Sequence, residues 1–212
     1  MVCIVDYGMG NIRSVVLAFE KAGADPIVSN DPEVIASAQA IVLPGVGAFG
    51  DAMRNLKDLG LVDVLKECVI VREKPFLGIC LGMQLLASVG YEHGEHEGLG
   101  IIEGEVTRLD GGAGLRIPHV GWNDVRVDTA KAPYGGFSGQ PNFYFVHSFR
   151  LVPESTEVVT GTCEYGTDFV VSIAHKNIVA VQFHPEKSQK NGLKVLENFL
   201  EFSEQLVCTS AC

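Results

Sequence analysis

The chain has 212 residues, of which 47% are hydrophobic and 20% are charged. This length and composition allow a large buried core and exclude intrinsic disorder as a description of the whole chain. Its 26 acidic residues outnumber 16 basic ones, so the formal net charge is −10. That charge argues against nucleic acid or an anionic membrane as the main partner. We expect a single α/β domain.

The six cysteines are spread along the chain without Cys-x-x-Cys spacing, which predicts neither a zinc ribbon nor a disulfide framework. The histidines show no spacing typical of metal ligands, and we expect no metal and no cofactor. The chain enters an apolar segment at Val2 without a basic leader, and no stretch has the length of a membrane span. A reducing cytoplasm is the expected compartment.

The first 90 residues alternate predicted strands and helices, which is typical of a mostly parallel sheet with helices on both faces. Asn11 is a suitable N-cap, and Pro32 after Asp31 is typical of a helix start. Strands are predicted at residues 2–5, 26–28, 40–43 and 76–79, and helices at residues 12–22, from 32, at 51–59, at 61–71 and from 81.

From residue 98 onward the chain consists of short β-rich segments separated by Gly or Pro. They lie at residues 105–109, 124–127, 143–146, 157–163, 169–174 and 179–183. We interpret this region as an antiparallel extension of the same sheet, not as a second domain. Residues 1–206, including a last amphipathic helix, are predicted to form that domain, and residues 207–212 a disordered tail.

Cys80 stands where a predicted buried strand gives way to a helix. Glycine lies two residues away on either side, at Gly78 and Gly82. This is the pattern of a nucleophile elbow with sulfur in place of the serine oxygen, and unpaired N–H groups at a helix start favour the thiolate. An unpaired cysteine is more often a small core residue, so this hypothesis depends on the partners that the chain can bring to Cys80.

His184 and Glu186 are two residues apart at the end of a predicted strand, on either side of Pro185. Side chains two apart on an extended chain share a face. The imidazole can take a thiol proton and later protonate a leaving amine, while the carboxylate fixes the tautomer. Taken alone, the segment is more typical of a surface turn.

The glycine-rich loop at residues 44–50 follows another predicted strand, and three glycines in six residues imply a close backbone approach or an unusual turn. Taken alone, the loop is more typical of an ordinary flexible connection. An elbow enzyme takes one oxyanion donor from the amide after the nucleophile and one from an earlier loop of this kind. Each such donor contributes about 3–4 kcal/mol to transition-state stabilisation. Since parallel strands present their carboxyl ends at one edge of a sheet, these segments are expected to converge.

The segments 78–84 (Gly-Ile-Cys-Leu-Gly-Met-Gln), 44–47 (Pro-Gly-Val-Gly) and 184–186 (His-Pro-Glu) together resemble the class I, or triad, glutamine amidotransferases. The resemblance implies their flavodoxin-like fold and a triad that hydrolyses glutamine to glutamate and ammonia through a cysteinyl thioester. The implied residues are Cys80, His184 and Glu186 for catalysis, Gly47 and Leu81 for the oxyanion hole, and Gly45, Gln84, Ser148 and Phe149 for substrate binding. At Phe149 a tyrosine would be equally expected, but backbone contacts are implied there.

Three further segments, residues 7–11, 118–123 and 144–149, resemble the members of this family that serve histidine biosynthesis. That resemblance implies a heterodimer with a (β/α)₈-barrel cyclase subunit that receives the ammonia. Asn11, Arg13, Trp122 and Tyr144 are the implied interface residues. For Trp122 and Tyr144, burial in the chain's own core is the alternative.

Three other functions are open from the residues alone. The same glutaminase could serve a different synthase, the chain could bind glutamine as a sensor without turnover, or the elbow could belong to an esterase or thiol hydrolase. Co-purification with a barrel subunit separates the first from the histidine pathway. An intact set of Cys80, His184 and Glu186 argues against the second.

Overall fold

A nine-stranded mixed sheet forms the centre of the computed structural model, which describes residues 1–111 and 114–210 and the side chains as far as residue 208. The strands are β1 (Val2–Val5), β2 (Ile27–Ser29), β3 (Ala40–Gly45), β4 (Phe76–Cys80), β5 (Val89–Gly90), β6 (His96–Glu97), β7 (Gly104–Arg108), β8 (His119–Val127), β9 (Asn142–His147), β10 (Phe149–Pro153), β11 (Val159–Tyr165), β12 (Thr167–His175) and β13 (Ile178–Val181). The helices are α1 (Ile12–Lys21), α2 (Pro32–Ser37), α3 (Phe49–Asp58), α4 (Leu61–Lys66), α5 (Leu81–Gln84) and α6 (Gln189–Ser210).

The strand order of the large sheet is β2-β1-β3-β4-β13-β12-β11-β8-β9. The first five strands pair in parallel and the last four continue the sheet in antiparallel pairs. The predicted parallel sheet with an antiparallel extension is therefore confirmed. As a consequence, the carboxyl ends of β1, β3, β4 and β13 meet at one edge.

A second, four-stranded sheet has the order β10-β7-β5-β6. The prediction that residues 105–109 extend the large sheet is wrong, because β7 pairs with β10 and β5 instead. Val106 and Leu151 face each other across the β7–β10 pair, and both are buried in the same apolar cluster as Phe49 and Leu86. This burial accounts for the separate sheet.

The core has one apolar cluster on each face of the large sheet. Along β1, Cys3 belongs to one cluster and its neighbours Val2 and Ile4 to the other, as the two-residue period of a strand requires. Helices α2, α3 and α4 contribute buried residues to the first cluster, and α1 and α6 to the second. Both faces are covered, as the nearly continuous apolar strands predict.

The helix boundaries follow local capping. The side chain of Asn11 accepts a hydrogen bond from the amide of Ser14, and that of Asp31 accepts one from Glu33, 2.8 Å away. A π-helical turn, Glu67–Val71, follows α4.

Helix α6 continues past residue 206, the predicted end of the domain, to Ser210. Leu206 and Val207 are half-buried, so the apolar side of the helix extends beyond that boundary. Residues 211 and 212 of the predicted tail lie outside the described part of the chain.

Candidate active site

The backbone of Cys80 turns sharply between β4 and α5. Its φ is +55° and its ψ is −107°, a conformation that costs a residue with a Cβ on the order of 1–3 kcal/mol. A Cβ on Gly82 would overlap the carbonyl oxygen of Leu43, and a Cβ on Gly78 would lie 2.8 Å from the carbonyl oxygen of Gly82. The two glycines therefore permit the close packing behind the nucleophile that the elbow pattern predicts.

Helix α5 is only four residues long and ends at Gln84, whereas the pattern predicted a helix through residue 86 at least. Its macrodipole is small, because peptide dipoles add along a helix. Individual hydrogen-bond donors, more than a helix dipole, must therefore stabilise negative charge at this sulfur.

His184 follows β13, the strand that lies parallel and next to β4. The strand ends at Val181, and Pro185–Lys187 forms a 3₁₀ turn, so the predicted extended geometry of residues 182–186 is wrong. The amide of Lys187 donates to the carbonyl of His184, 3.0 Å away, which closes the turn. The contact expected of His184 is formed nevertheless: its Nδ1 lies 2.8 Å from Oε1 of Glu186, and both side chains are buried.

The charge state of His184 is set by two opposing effects. Burial lowers the pKa of the imidazole, but the neighbouring Cys80 and Glu186 outweigh burial and raise the pKa to about 10. Its second ring nitrogen, Nε2, is buried and has no hydrogen-bond partner in the described part of the chain. The ring therefore keeps a proton near neutral pH and has one nitrogen free for the sulfur or a ligand.

The backbone of Tyr144 on β9 anchors the turn that carries His184. The amide of His184 donates to the carbonyl of Tyr144, 2.9 Å away. The hydroxyl of Ser188 donates to the carbonyl of His184 at 2.6 Å and accepts from the amide of Tyr144 at 3.0 Å. The position of the imidazole thus depends on β9 as well as on β13.

The loop after β3 runs beside the nucleophile, as its glycines predict. Gly45 is the register partner of Cys80 in the β3–β4 pair, and a Cβ on Gly45 would overlap the hydroxyl of Tyr7. Gly47 has a φ of +113°, and a Cβ there would be 2.7 Å from Cε of Met9. Leu81, the other residue implied for the oxyanion hole, is the first residue of α5.

Two of the residues implied for substrate binding are joined by a hydrogen bond. Nε2 of Gln84 donates to the carbonyl of Phe149 and to Oε1 of Gln182, each at 2.9 Å. Ser148 is half-buried at the junction of β9 and β10. Any direct contact of Gln84 with a substrate is therefore left to its own oxygen, Oε1.

Sequence reasoning missed Gln182, whose Nε2 donates to Sγ of Cys80 at 3.6 Å, a length that the large radius of sulfur permits. A usable signal was present, since Gln182 precedes His184 by only two residues. A buried amide in a strand carries no pattern of its own, however, and only the folded chain connects it to the sulfur.

Sequence reasoning also missed a buried pair of histidines. Nδ1 of His147 bonds to the carbonyl of Phe149 at 2.9 Å, and its Nε2 lies 3.1 Å from Nδ1 of His119, its cross-strand partner. Burial lowers the pKa of both rings to about 4. Both are therefore neutral near pH 7, and they help fix the Phe149 carbonyl.

Tyr7 is a further residue of the site, with no role expected from the sequence beyond its place in the segment at residues 7–11. Its side chain is buried, and its hydroxyl has no hydrogen-bond partner in the described part of the chain. Burial and the nearby Cys80 raise its pKa, so the phenol stays neutral.

The residues implied for a partner interface lie near the same edge. Trp122 is 46% exposed, and its ring meets that of its cross-strand partner Tyr144 edge-to-face at 6.0 Å. Nζ of Lys187 stands 5.6 Å from the Tyr144 ring centroid. Asn11 and Arg13 are exposed at the start of α1, which contacts the turn at residues 185–187.

Within the residues described, no group of three or more His, Cys, Asp or Glu side chains is arranged to hold a metal ion. The same residues include no helix with the length and apolar character needed to cross a membrane.

Comparison with known proteins agrees with this geometry. The family model for glutamine amidotransferase class-I matches residues 3–202. The imidazole glycerol phosphate synthase subunit HisH of Aquifex aeolicus is 53% identical over 204 residues, covering 96% of this chain and 97% of that protein. The subunit of the same name from Moorella thermoacetica is 52% identical over 200 residues, covering 94% of each chain.

Solved structures agree at the level of the fold. A putative GMP synthase component from Thermoplasma acidophilum superposes with a TM-score of 0.77 at 17% identity, covering all of this chain and 97% of that one. The family model spans nearly the whole chain, and relatives about half identical to it match over at least 94% of its length. The chain therefore belongs to the class-I glutamine amidotransferase family.

Proposed function

We propose that this chain is the glutaminase subunit of an imidazole glycerol phosphate synthase, and that it supplies ammonia to a (β/α)₈-barrel cyclase subunit in histidine biosynthesis. The observation that carries the glutaminase assignment is the strained Cys80 beside a buried His184–Glu186 pair. Nε2 of His184 has no hydrogen-bond partner among the residues described. The histidine pathway is supported by HisH relatives about 50% identical over the whole chain.

In the first half-reaction, the Cys80 thiolate attacks the side-chain amide carbon of glutamine. The carbonyl oxygen gains negative charge, and the amides of Leu81 and Gly47 are the proposed donors to it. Collapse of this intermediate expels the amide nitrogen, which takes the proton held by His184 and leaves as ammonia. The product on the enzyme is a glutamyl thioester.

In the second half-reaction, a water molecule gives a proton to the now neutral His184 and attacks the thioester carbon. Glutamate leaves when the carbon–sulfur bond breaks, and Cys80 returns as thiolate beside the protonated imidazole. Glu186 holds the ring through Nδ1, the role of the third member of a triad.

For the glutamine backbone groups we propose a subsite made of Gly45, Gln84, Ser148 and Phe149. The Phe149 carbonyl is fixed by donors from Gln84 and His147, which gives this part of the pocket a preset shape. Preset shape lowers the entropy lost on binding.

The proposed partner surface consists of Asn11, Arg13, Trp122 and Tyr144. Trp122 is exposed and packs on the half-buried Tyr144, and aromatic side chains of this kind are typical anchors of protein interfaces. A partner seated there also makes chemical sense, because ammonia released into neutral water is protonated and loses its nucleophilicity. Contact between the two proteins shields it.

For the compartment we propose the cytoplasm. The five cysteines in the described part of the chain are unpaired, which is consistent with a reducing environment.

The glutaminase assignment is tested with 6-diazo-5-oxonorleucine, a reactive glutamine mimic. We expect it to label Cys80, as identified by peptide mass, and glutamine to protect this site. Cys208, which is exposed, is the internal control and stays unlabelled. Labelling spread over Cys68 and Cys163, or the absence of protection, would contradict a glutamine site at Cys80.

A further inference from the structure

We propose that Gln182 is a positioning residue for the nucleophile, and that its side-chain N–H holds the Cys80 sulfur as a thiolate. The inference rests on the proposed glutaminase function and adds a residue to it. The observation behind it is the 3.6 Å contact from Nε2 of Gln182 to Sγ of Cys80.

The hydrogen bonds around Gln182 determine which end of its amide faces the sulfur. The Phe149 carbonyl can only accept, so the group of Gln84 that lies 2.9 Å from it must be the nitrogen. The same nitrogen lies 2.9 Å from Gln182, so the group of Gln182 facing it must be the oxygen. The nitrogen of Gln182 is then left to face Cys80.

The Gln182 side chain has little freedom to adopt another position. It is fully buried, and its backbone amide donates to the Val171 carbonyl at 2.8 Å. A buried amide is costly unless it is hydrogen-bonded, and turning this one would set its nitrogen against the nitrogen of Gln84. The donor is therefore held toward the sulfur before any substrate arrives.

The ionisable groups near Cys80, His184 and Tyr7, have tasks different from that of Gln182. His184 carries the proton that the leaving group needs, and Tyr7 is neutral because burial and Cys80 raise its pKa. Helix α5 is too short to contribute a large dipole. Gln182 is thus a neutral donor that favours the thiolate without taking part in proton transfer.

The test is the pH dependence of Cys80 alkylation by iodoacetamide in the full chain, measured by peptide mass. Hydrogen bonds to charged groups are stronger than neutral ones, so removing this donor in Gln182→Leu is expected to raise the pH of half-maximal alkylation by about one unit. The alkylation rate below that pH falls about tenfold. With the cyclase subunit present, kcat for glutamine falls and KM changes little.

Gln182→Glu keeps the shape and the acceptor for Gln84, but it places a carboxylate beside the sulfur. The pH of half-maximal alkylation should therefore rise further than in Gln182→Leu. Asn198→Leu is the matched control, since Asn198 is a buried amide whose side chain donates to the backbone of residues 133 and 135. Whatever the stability of this control, its alkylation profile should stay that of the wild type.

Unchanged alkylation profiles in both Gln182 variants would overturn the proposal. A measurement on the wild-type chain is independent of how the variants fold: the side-chain amide resonance of Gln182 should shift when Cys80 is alkylated, and a resonance that does not move contradicts the contact. If the profiles shift as expected but glutamine is never hydrolysed, the glutaminase assignment fails and the role of Gln182 stands.

Discussion

His184 holds its proton because two acidic partners outweigh the cost of burying a charged ring. One partner, Glu186, contacts Nδ1 directly, and the other, Cys80, acts from the side of the nucleophile. The division leaves Glu186 with a single task, to keep the ring charged and correctly oriented. Removing the carboxylate of Glu186 should therefore change the pKa of His184 more than it changes the structure of the site.

Glu186→Gln is expected to lower the pKa of His184, because the amide offers a hydrogen bond without the negative charge that helps raise the wild-type value to about 10. The titration of the ring nitrogens by NMR measures this change. His119 is the internal control, since burial alone accounts for its pKa near 4. An unchanged pKa of His184 would contradict the role assigned to the pair.

The site residues that the sequence identifies are those close to glycine or proline. Cys80 stands between two glycines, and His184 and Glu186 flank a proline, so local pattern identifies them. Gln182 looks like any strand residue, and its role comes from neighbours at positions 80 and 84 that only the folded chain brings close. Tertiary hydrogen bonds of this kind leave no trace in the local pattern.

At the scale of elements, the elbow depends on how closely α5 can approach β3. No atom beyond hydrogen fits on Gly82, because a Cβ there would overlap the Leu43 carbonyl oxygen. The strain at Cys80 persists because the packing on both sides determines the turn. The glycine is a requirement of backbone contact, not of flexibility.

Gly82→Ala should therefore lower the free energy of unfolding by about 3 kcal/mol, the upper part of the usual range for overpacking. Urea unfolding measures it. Gly135→Ala is the control, because the nearest atom to a Cβ there is Nδ2 of Asn198 at 4.0 Å. Equal stability of the two variants would show that the close approach at Gly82 is not required.

The buried histidines on β8 and β9, His119 and His147, should make the fold less stable in acid. The pKa of His147 in the fold is about 4, below its ordinary value of 6.5, because burial penalises the charged ring. The neutral ring stabilises the fold above pH 6.5, and this contribution is lost as the pH falls from 6.5 through 4. The same sign holds for His119.

Replacing His147 with Asn, which can still donate to the Phe149 carbonyl, should reduce that loss. Between about pH 7 and about pH 4.5, the free energy of unfolding of His147→Asn is expected to fall by about 2 kcal/mol less than that of the wild type. Urea titrations at the two pH values provide the measurement. An equal fall in both proteins would show that the acid sensitivity arises elsewhere.

Element boundaries were less predictable than element types. The apolar run before Cys80 identifies β4 correctly, but β13 ends at Val181 and α5 at Gln84, both earlier than their sequence patterns predicted. The pairing of β7 with β10 joins residues about 40 positions apart or more. Two-residue alternation predicts the strands but not the sheet to which each belongs.

For the whole molecule, the parallel order of β1, β3, β4 and β13 gathers the functional loops at one edge. That convergence was predictable from the alternation of strands and helices. Trp122 and Tyr144 lie on the antiparallel strands β8 and β9, and the backbone of Tyr144 also holds His184. A partner bound to this surface would therefore contact β9, the strand whose backbone positions the His184 ring.

Trp122→Ala is expected to weaken binding of the cyclase subunit about 30-fold, the effect of losing one interface hot spot of about 2 kcal/mol. Titration calorimetry with the purified barrel subunit measures the change. Val71→Ala, at an exposed position near the amino end of β4, is the control and should bind as the wild type. Equal affinities would place the interface elsewhere.

We assign glutamine hydrolysis to Cys80 and synthesis to the partner subunit. The variant Cys80→Ala in the reconstituted complex tests this assignment most directly. Formation of imidazole glycerol phosphate is measured once with glutamine and once with ammonium salt at alkaline pH. We expect complete loss of the glutamine-dependent reaction and a wild-type rate with ammonium. Loss of both reactions, or retention of the glutamine-dependent one, would contradict this division of labour.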